Sequence, residues 1–214
     1  MNNLRILLDH FSTYNDGRYG KLDLFSGEIW GASLGNRIFD VLLEYSKANK
    51  VKFQIIVIPS NCSFLRSEKA TKIVEDYMAQ FKAEGTRLAF SCSSDGLIID
   101  EISRPYNSKS SMDIKVFYEK LWDFTEKHNL CFHPMVDAFT IDKWPENLNW
   151  WIEESEKRHH NMIDRVMMLE VRNPDSWNDT TITQYLQFLK PITQYLMKYW
   201  DNDIESFLLD TFSL

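Results

Sequence analysis

Apolar residues recur along this chain in two rhythms. Leu4, Leu7, Leu8 and Phe11 keep the three- and four-residue spacing of one helix face, which predicts a helix over residues 1–14. Asn15, Asp16 and Gly17 end it, and a short apolar strand follows at 21–25. Ser33 is placed to cap a helix reaching 49, with Ile38, Val41, Leu42 and Tyr45 on one face. The β-branched run Lys-Phe-Gln-Ile-Ile-Val-Ile-Pro at 52–59 predicts a strand buried on both faces. After Ser67 comes the cleanest helical stripe, Ala70, Ile73, Val74, Tyr77, Met78 and Phe81, with Gly85 as its stop.

The same alternation continues. A strand at 87–92 runs into the small polar turn Ser93-Ser94-Asp95-Gly96 and a polar insertion through Arg104 and Pro105 to Ser111. Then come a helix carrying Ile114, Phe117, Tyr118, Leu121 and Trp122, a strand at 130–136, and a helix opened by Pro145. A fifth strand at 165–172 precedes a helix entered through Thr181 and Gln184, which Pro191 should kink or divide. A short helix at 204–209 closes the reading. Five strands alternating with helices predict parallel pairing and right-handed crossovers, hence an α/β fold forming one domain over 1–214. A helix with no strand ahead of it is unusual in such a fold. The pattern reads as a partial (β/α)6 TIM-like barrel whose first strand is missing.

Composition narrows the function classes. The formal net charge is −7 and there is no Lys/Arg-rich run, which argues against a grip on nucleic-acid phosphates. The longest apolar run, near 53–59, falls far short of the roughly 20 residues that span a bilayer. Asp9 and His10 interrupt the N-terminal apolar region, so it does not read as a signal peptide. Cys62, Cys92 and Cys131 are widely spaced and strand-like in context, and read as reduced core thiols of an intracellular, cytoplasmic protein.

If the strands are parallel, their carboxyl ends share one mouth. It would collect Ser26 and Glu28, Ser60 and Asn61, Ser93 and Asp95, His133 and Asp137, and Glu170 and Arg172. Carboxylates and hydroxyls of this kind accept from an ammonium group or from sugar hydroxyls. Each residue also has a plainer reading. Glu28 suits the N-terminal end of the next helix, Ser93 to Gly96 an ordinary turn, Arg104 the solvent, and His133 a hydrogen-bonded structural place.

Ser26-Gly27-Glu28, at a strand end before a helix, resembles the Gly-Gly-Glu motif of radical S-adenosylmethionine (radical SAM) enzymes. Ser93-Ser94-Asp95-Gly96, two strands later, resembles the Ser-x-Asp-Gly turn of their sulfatase-maturing and peptide-modifying branch, and Arg104 stands near that branch's arginine. The element order fits the second to sixth β/α units of their barrel. The resemblance implies that Glu28 takes the methionine ammonium of S-adenosylmethionine, with Ser26 and Gly27 forming its turn. It further implies that Ser93 and Asp95 hold the ribose hydroxyls and that Arg104 pairs with the methionine carboxylate. His133, Glu170 and Arg172 would face substrate.

The sequence also departs from the family. Ser26 replaces a glycine and Ile29 a proline, and the Cys-x-x-x-Cys-x-x-Cys loop that ligates a 4Fe-4S cluster does not occur in it. The expectation is therefore a fragment or split subunit. It would bind S-adenosylmethionine for radical modification of an unknown substrate, and the cluster would come from a missing segment or partner chain. It should not turn over alone. A non-catalytic S-adenosylmethionine-binding remnant or regulatory protein is the alternative. A barrel-type metal-dependent hydrolase with ligands Glu28, His133, Asp137 and Glu170 ranks third.

Overall fold

The computed structural model describes residues 2–24, 28–29, 33–103, 112–162, 165–166 and 170–198. Helices and strands alternate along it, and contacts gather into two compact units. The first comprises Met1–Cys92 with Lys120–Leu130, and the second Ser93–Glu119 with Cys131–Leu214.

The first unit is built on three parallel strands. β1 (Arg18–Asp23) pairs with β2 (Lys52–Ser60), and β2 pairs with β3 (Arg87–Cys92), which places Asp23 beside Val57 and Ser60 beside Cys92. Because all three run the same way, their carboxyl ends lie on one edge. β1 starts three residues before the expected 21 and is mostly exposed. The chain enters it through a tight turn in which Gly17 has φ +67°, and a Cβ there would stand 1.9 Å from the Lys50 carbonyl oxygen. Only glycine allows so close an approach.

On β2, Phe53, Ile56, Ile58 and Ser60 are buried, while Ile55, Val57 and Pro59 are half-buried. The expectation of equal burial on both faces is thus met on one face and only partly on the other. Helices α1 (Asn2–Ser12), α2 (Ser33–Lys47) and α3 (Glu68–Ala83) supply the cover. α3 begins as expected, with Ser67 Oγ accepting the Ala70 N–H at 3.3 Å, and Gly85 follows its end at φ +78°. Phe64, Phe90 and Phe124 meet with ring centroids 5.3 to 6.1 Å apart, the contact geometry that aromatic quadrupoles favour.

The second unit opens on the Ser93–Gly96 turn and continues into α4 (Leu97–Ser103), where the sequence pattern predicts only a polar insertion. At seven residues this helix is too short to declare a period. α5 (Ile114–His128) follows. The single strand expected at 130–136 is instead two short ones, β4 (Cys131–Phe132) and β5 (Met135–Val136), with His133 and Pro134 between them. Pro134 has no N–H to give a ladder. α6 (Trp144–Lys157) carries Pro145 in its first turn, as expected. β5 runs parallel to β6 (Glu170–Val171), and Phe132 forms a parallel bridge to Val166.

The last described helix is α7 (Asp179–Lys198). Its cap is Asn178, whose Oδ1 accepts from the Thr180 and Thr181 amides while Thr181 Oγ1 accepts the Asn178 N–H. The reciprocal box therefore begins three residues before the expected Thr181. Pro191 does not divide α7: Pro191 and Gln187, whose carbonyl loses its donor, are both exposed to solvent. The helix expected at 204–209 lies outside the described residues.

Candidate functional site

Glu28 stands in the segment after β1, and the end of β2 is shaped to hold it. Ser60 Oγ donates to both carboxylate oxygens, at 2.9 and 3.2 Å, and the Asn61 N–H donates to Oε2 at 2.8 Å. Ser60 is buried and its hydroxyl oxygen accepts the Cys62 N–H at 2.9 Å, so the donor itself is fixed. Asn61 Oδ1 accepts the Ser63 N–H at 2.9 Å, closing a local turn. These named donors tie Glu28 to the end of β2. They come from a neighbouring strand end, and each is charge-assisted. Glu28 is half-buried. Ser26 and Gly27 lie outside the described residues.

Below Glu28 sit two buried thiols. Cys62 Sγ donates to Cys92 Sγ at 3.5 Å. The Cys62 thiol is pushed well above its usual range by that bond, then by burial and by the Glu28 charge.

In the second unit, the Ser93–Gly96 turn is tied down by buried polar groups. Tyr118 O–H donates to Asp100 Oδ2 at 2.6 Å, Ser94 Oγ lies 2.6 Å from the Tyr118 oxygen, and the Asp95 N–H donates to Asp100 Oδ1 at 3.3 Å. The Asp95 carbonyl accepts from Asn147 Nδ2 at 2.7 Å and from Trp151 Nε1 at 3.3 Å. The Asp95 carboxylate accepts the Met135 N–H at 2.7 Å, which fixes the turn to the start of β5. Asp95 is only 2% exposed, whereas Ser93 is half-buried. Both residues expected to touch ribose thus lie on this turn, Asp95 buried and Ser93 half-buried.

The other expected residues are more scattered. Arg104 lies outside the described residues. His133 is half-buried in the break between β4 and β5. Glu170 pairs through its backbone with Met135. Arg172 is exposed, with Nη2 3.0 Å from Met135 Sδ. Asp137 accepts from the Phe139 N–H at 2.9 Å and from Asn173 Nδ2 at 2.5 Å, so it organises a turn. Among the described residues no group of three or more His, Cys, Asp or Glu side chains is placed to hold a metal ion.

Asp100, Tyr118 and Asn147 went unread in the sequence as partners of the turn. Asn147 carried a usable signal, because it falls on the apolar face of Trp144, Leu148 and Trp151, where a polar side chain needs a buried partner.

No protein-family model matches the chain, and no curated protein matches it. Two solved structures do. One is described as native anSMEcpe with bound AdoMet and Kp18Cys peptide: TM-score 0.59, 15% identity, 93% of this chain and 52% of that one. The other, native anSMEcpe with bound AdoMet, gives 0.58, 15%, 93% and 51%. AnSMEcpe is an anaerobic sulfatase-maturating radical SAM enzyme. The fold is that of these barrel enzymes. This chain spans about half the length of each structure it matches. The likeness bears out the α/β partial-barrel expectation, and it is a likeness of fold, since the identity is low.

Proposed function

We propose that this protein binds S-adenosylmethionine and takes part in radical modification of a substrate, with the Glu28 carboxylate receiving the methionine ammonium. One observation carries the reading. A half-buried acid at the carboxyl edge of parallel strands is clamped by the Ser60 hydroxyl and the Asn61 amide, in a fold shared with enzymes solved with AdoMet. Such a clamp fixes the acid before the ligand arrives, so an ammonium pairs with it at little cost in side-chain ordering.

In such proteins a 4Fe-4S cluster supplies the electron that cleaves the sulfonium. The residues present here do not fit that cluster. Cys62 and Cys92 are buried against each other, Cys131 belongs to the other unit, and the cluster loop's cysteine spacing does not occur in the sequence. The reading therefore assigns the cluster to a Cys-x-x-x-Cys-x-x-Cys segment outside these residues, on a partner chain or a further stretch of the same protein. The same observation supports a second reading, in which the chain binds S-adenosylmethionine without redox chemistry.

Titration calorimetry with S-adenosylmethionine tests the shared core of both. The wild-type chain should give saturable binding, and Glu28→Ala should weaken it by about tenfold or more with an unchanged circular dichroism spectrum. Equal affinity in the two proteins removes Glu28 from the site.

A further inference from the structure

Cys62 and Cys92 form an isolated pair of free thiols whose sulfurs are 3.5 Å apart, at the carboxyl ends of two adjacent parallel strands. Ser60, two residues before Cys62, is in register with Cys92, which brings the two backbones to the spacing of neighbouring strands. Cys62 sits in the left-handed region at φ 55°, where the chain leaves the strand direction and enters the turn at Ser63–Arg66. A disulfide needs its sulfurs at about 2.05 Å, so closing the pair asks for a side-chain adjustment of roughly 1.5 Å. Both residues are almost wholly buried, at 0% and 1% exposure, whereas Cys131 is half-buried in the other unit.

We propose that Cys62 and Cys92 are a modification site, a dithiol that a small peroxide converts to an intramolecular disulfide. In the first step one sulfur attacks the peroxide O–O bond and becomes a sulfenic acid as one water leaves. In the second the other sulfur attacks that sulfenyl sulfur, the S–S bond forms, and a second water departs. Two thiols are oxidised by two electrons and one peroxide is reduced to two waters. The geometry makes the partner of any sulfenic acid its neighbour a few ångströms away, so trapping outruns further oxidation.

The closure is connected to Glu28. The Cys62 N–H donates to the same Ser60 oxygen whose proton goes to the carboxylate, and drawing Cys62 toward β3 pulls on that bond. This consequence rests on the proposed role of Glu28; formation of the disulfide does not. Burial and the raised Cys62 thiol slow the first step, so the pair responds to small neutral oxidants and resists bulky alkylating reagents.

The test uses the full chain with Cys131→Ser, which leaves only the pair. After treatment of the folded protein with hydrogen peroxide, intact mass should fall by two hydrogens. A digest should yield one peptide joining Cys62 to Cys92, and dithiothreitol should restore the original mass. A Cys92→Ser variant in the same background should instead stop at sulfenic or sulfinic acid on Cys62. The proposal is overturned if both thiols are recovered free from the oxidised folded protein, or if the link forms only after denaturation. Oxygen addition to either cysteine in place of the link overturns it equally. A link that forms while S-adenosylmethionine affinity stays unchanged leaves the disulfide standing and removes only its coupling to Glu28.

Discussion

Tyr118 shares its phenol between Ser94 and Asp100, and all three side chains are at least 96% buried. Tyr118→Phe keeps the ring and its edge contact with Trp150 but takes a donor from a buried carboxylate. The expected loss is about 1–3 kcal/mol in urea unfolding, and an unchanged midpoint would deny the network its structural role. At Glu28 the corresponding test is Ser60→Ala. It leaves the acid in place with a looser grip, and should reduce S-adenosylmethionine affinity by about three- to tenfold on the proposed reading. The place of Glu28 after a short strand was legible, because an acid following an apolar run and a small-residue turn is a recognisable local pattern. Its dependence on Ser60 was not, since those residues are 32 positions apart and meet only through strand register.

Among the elements, the Ser93–Gly96 turn depends on its glycine. Gly96 has φ +107°, and a Cβ there would come within 2.4 to 2.7 Å of Asn147 and Trp151 side-chain atoms that serve the turn. Gly96→Ala should therefore destabilise the protein by about 2 kcal/mol or more, read as a lowered thermal midpoint; a neutral result would mean that α6 shifts freely. Ser67→Ala, by contrast, removes one cap bond and should cost about 1 kcal/mol. The long amphipathic helix α3 and the short apolar strand β3 were readable almost to the residue. Where reading failed the causes were local. Pro134 splits one expected strand, α4 spans barely two turns, and Asn178 outcompetes Thr181 as the cap because its side chain reaches two amides at once.

For the whole molecule, titratable groups set the pH window of stability. Tyr77 is pushed up to about 12, first by burial and then by its bond to Asp40, against an unfolded value near 10. Its stabilisation is complete below pH 10 and is lost as the pH rises through about 12. Tyr45, raised by its hydrogen bond to Asp9, and Tyr185, raised by burial, act in the same direction. Glu75 is held below the usual carboxylate range by its bond to Lys127, so its contribution exists above about pH 4.3 and fades as the pH falls. Cys62, pushed well above its usual range, acts in the same direction as the tyrosines from its lower unfolded value near 8.5, so urea midpoints should form a plateau between about pH 5 and 8.5 and fall on both sides. Rising stability above pH 10 would contradict the tyrosine environments. Fold class was legible at this scale because alternating strands and helices leave few topologies open. The partition of contacts into two units was not, since no linker marks it and α5 contributes residues to both.

The central claim is that the Glu28 carboxylate pairs with an ammonium group, and one comparison isolates it. Calorimetry on wild type and Glu28→Gln should use both S-adenosylmethionine and 5′-methylthioadenosine, which keeps the nucleoside and lacks the amino acid. The account predicts that the substitution weakens S-adenosylmethionine by about tenfold and leaves methylthioadenosine unchanged. Equal losses for the two ligands, or none for either, would contradict it.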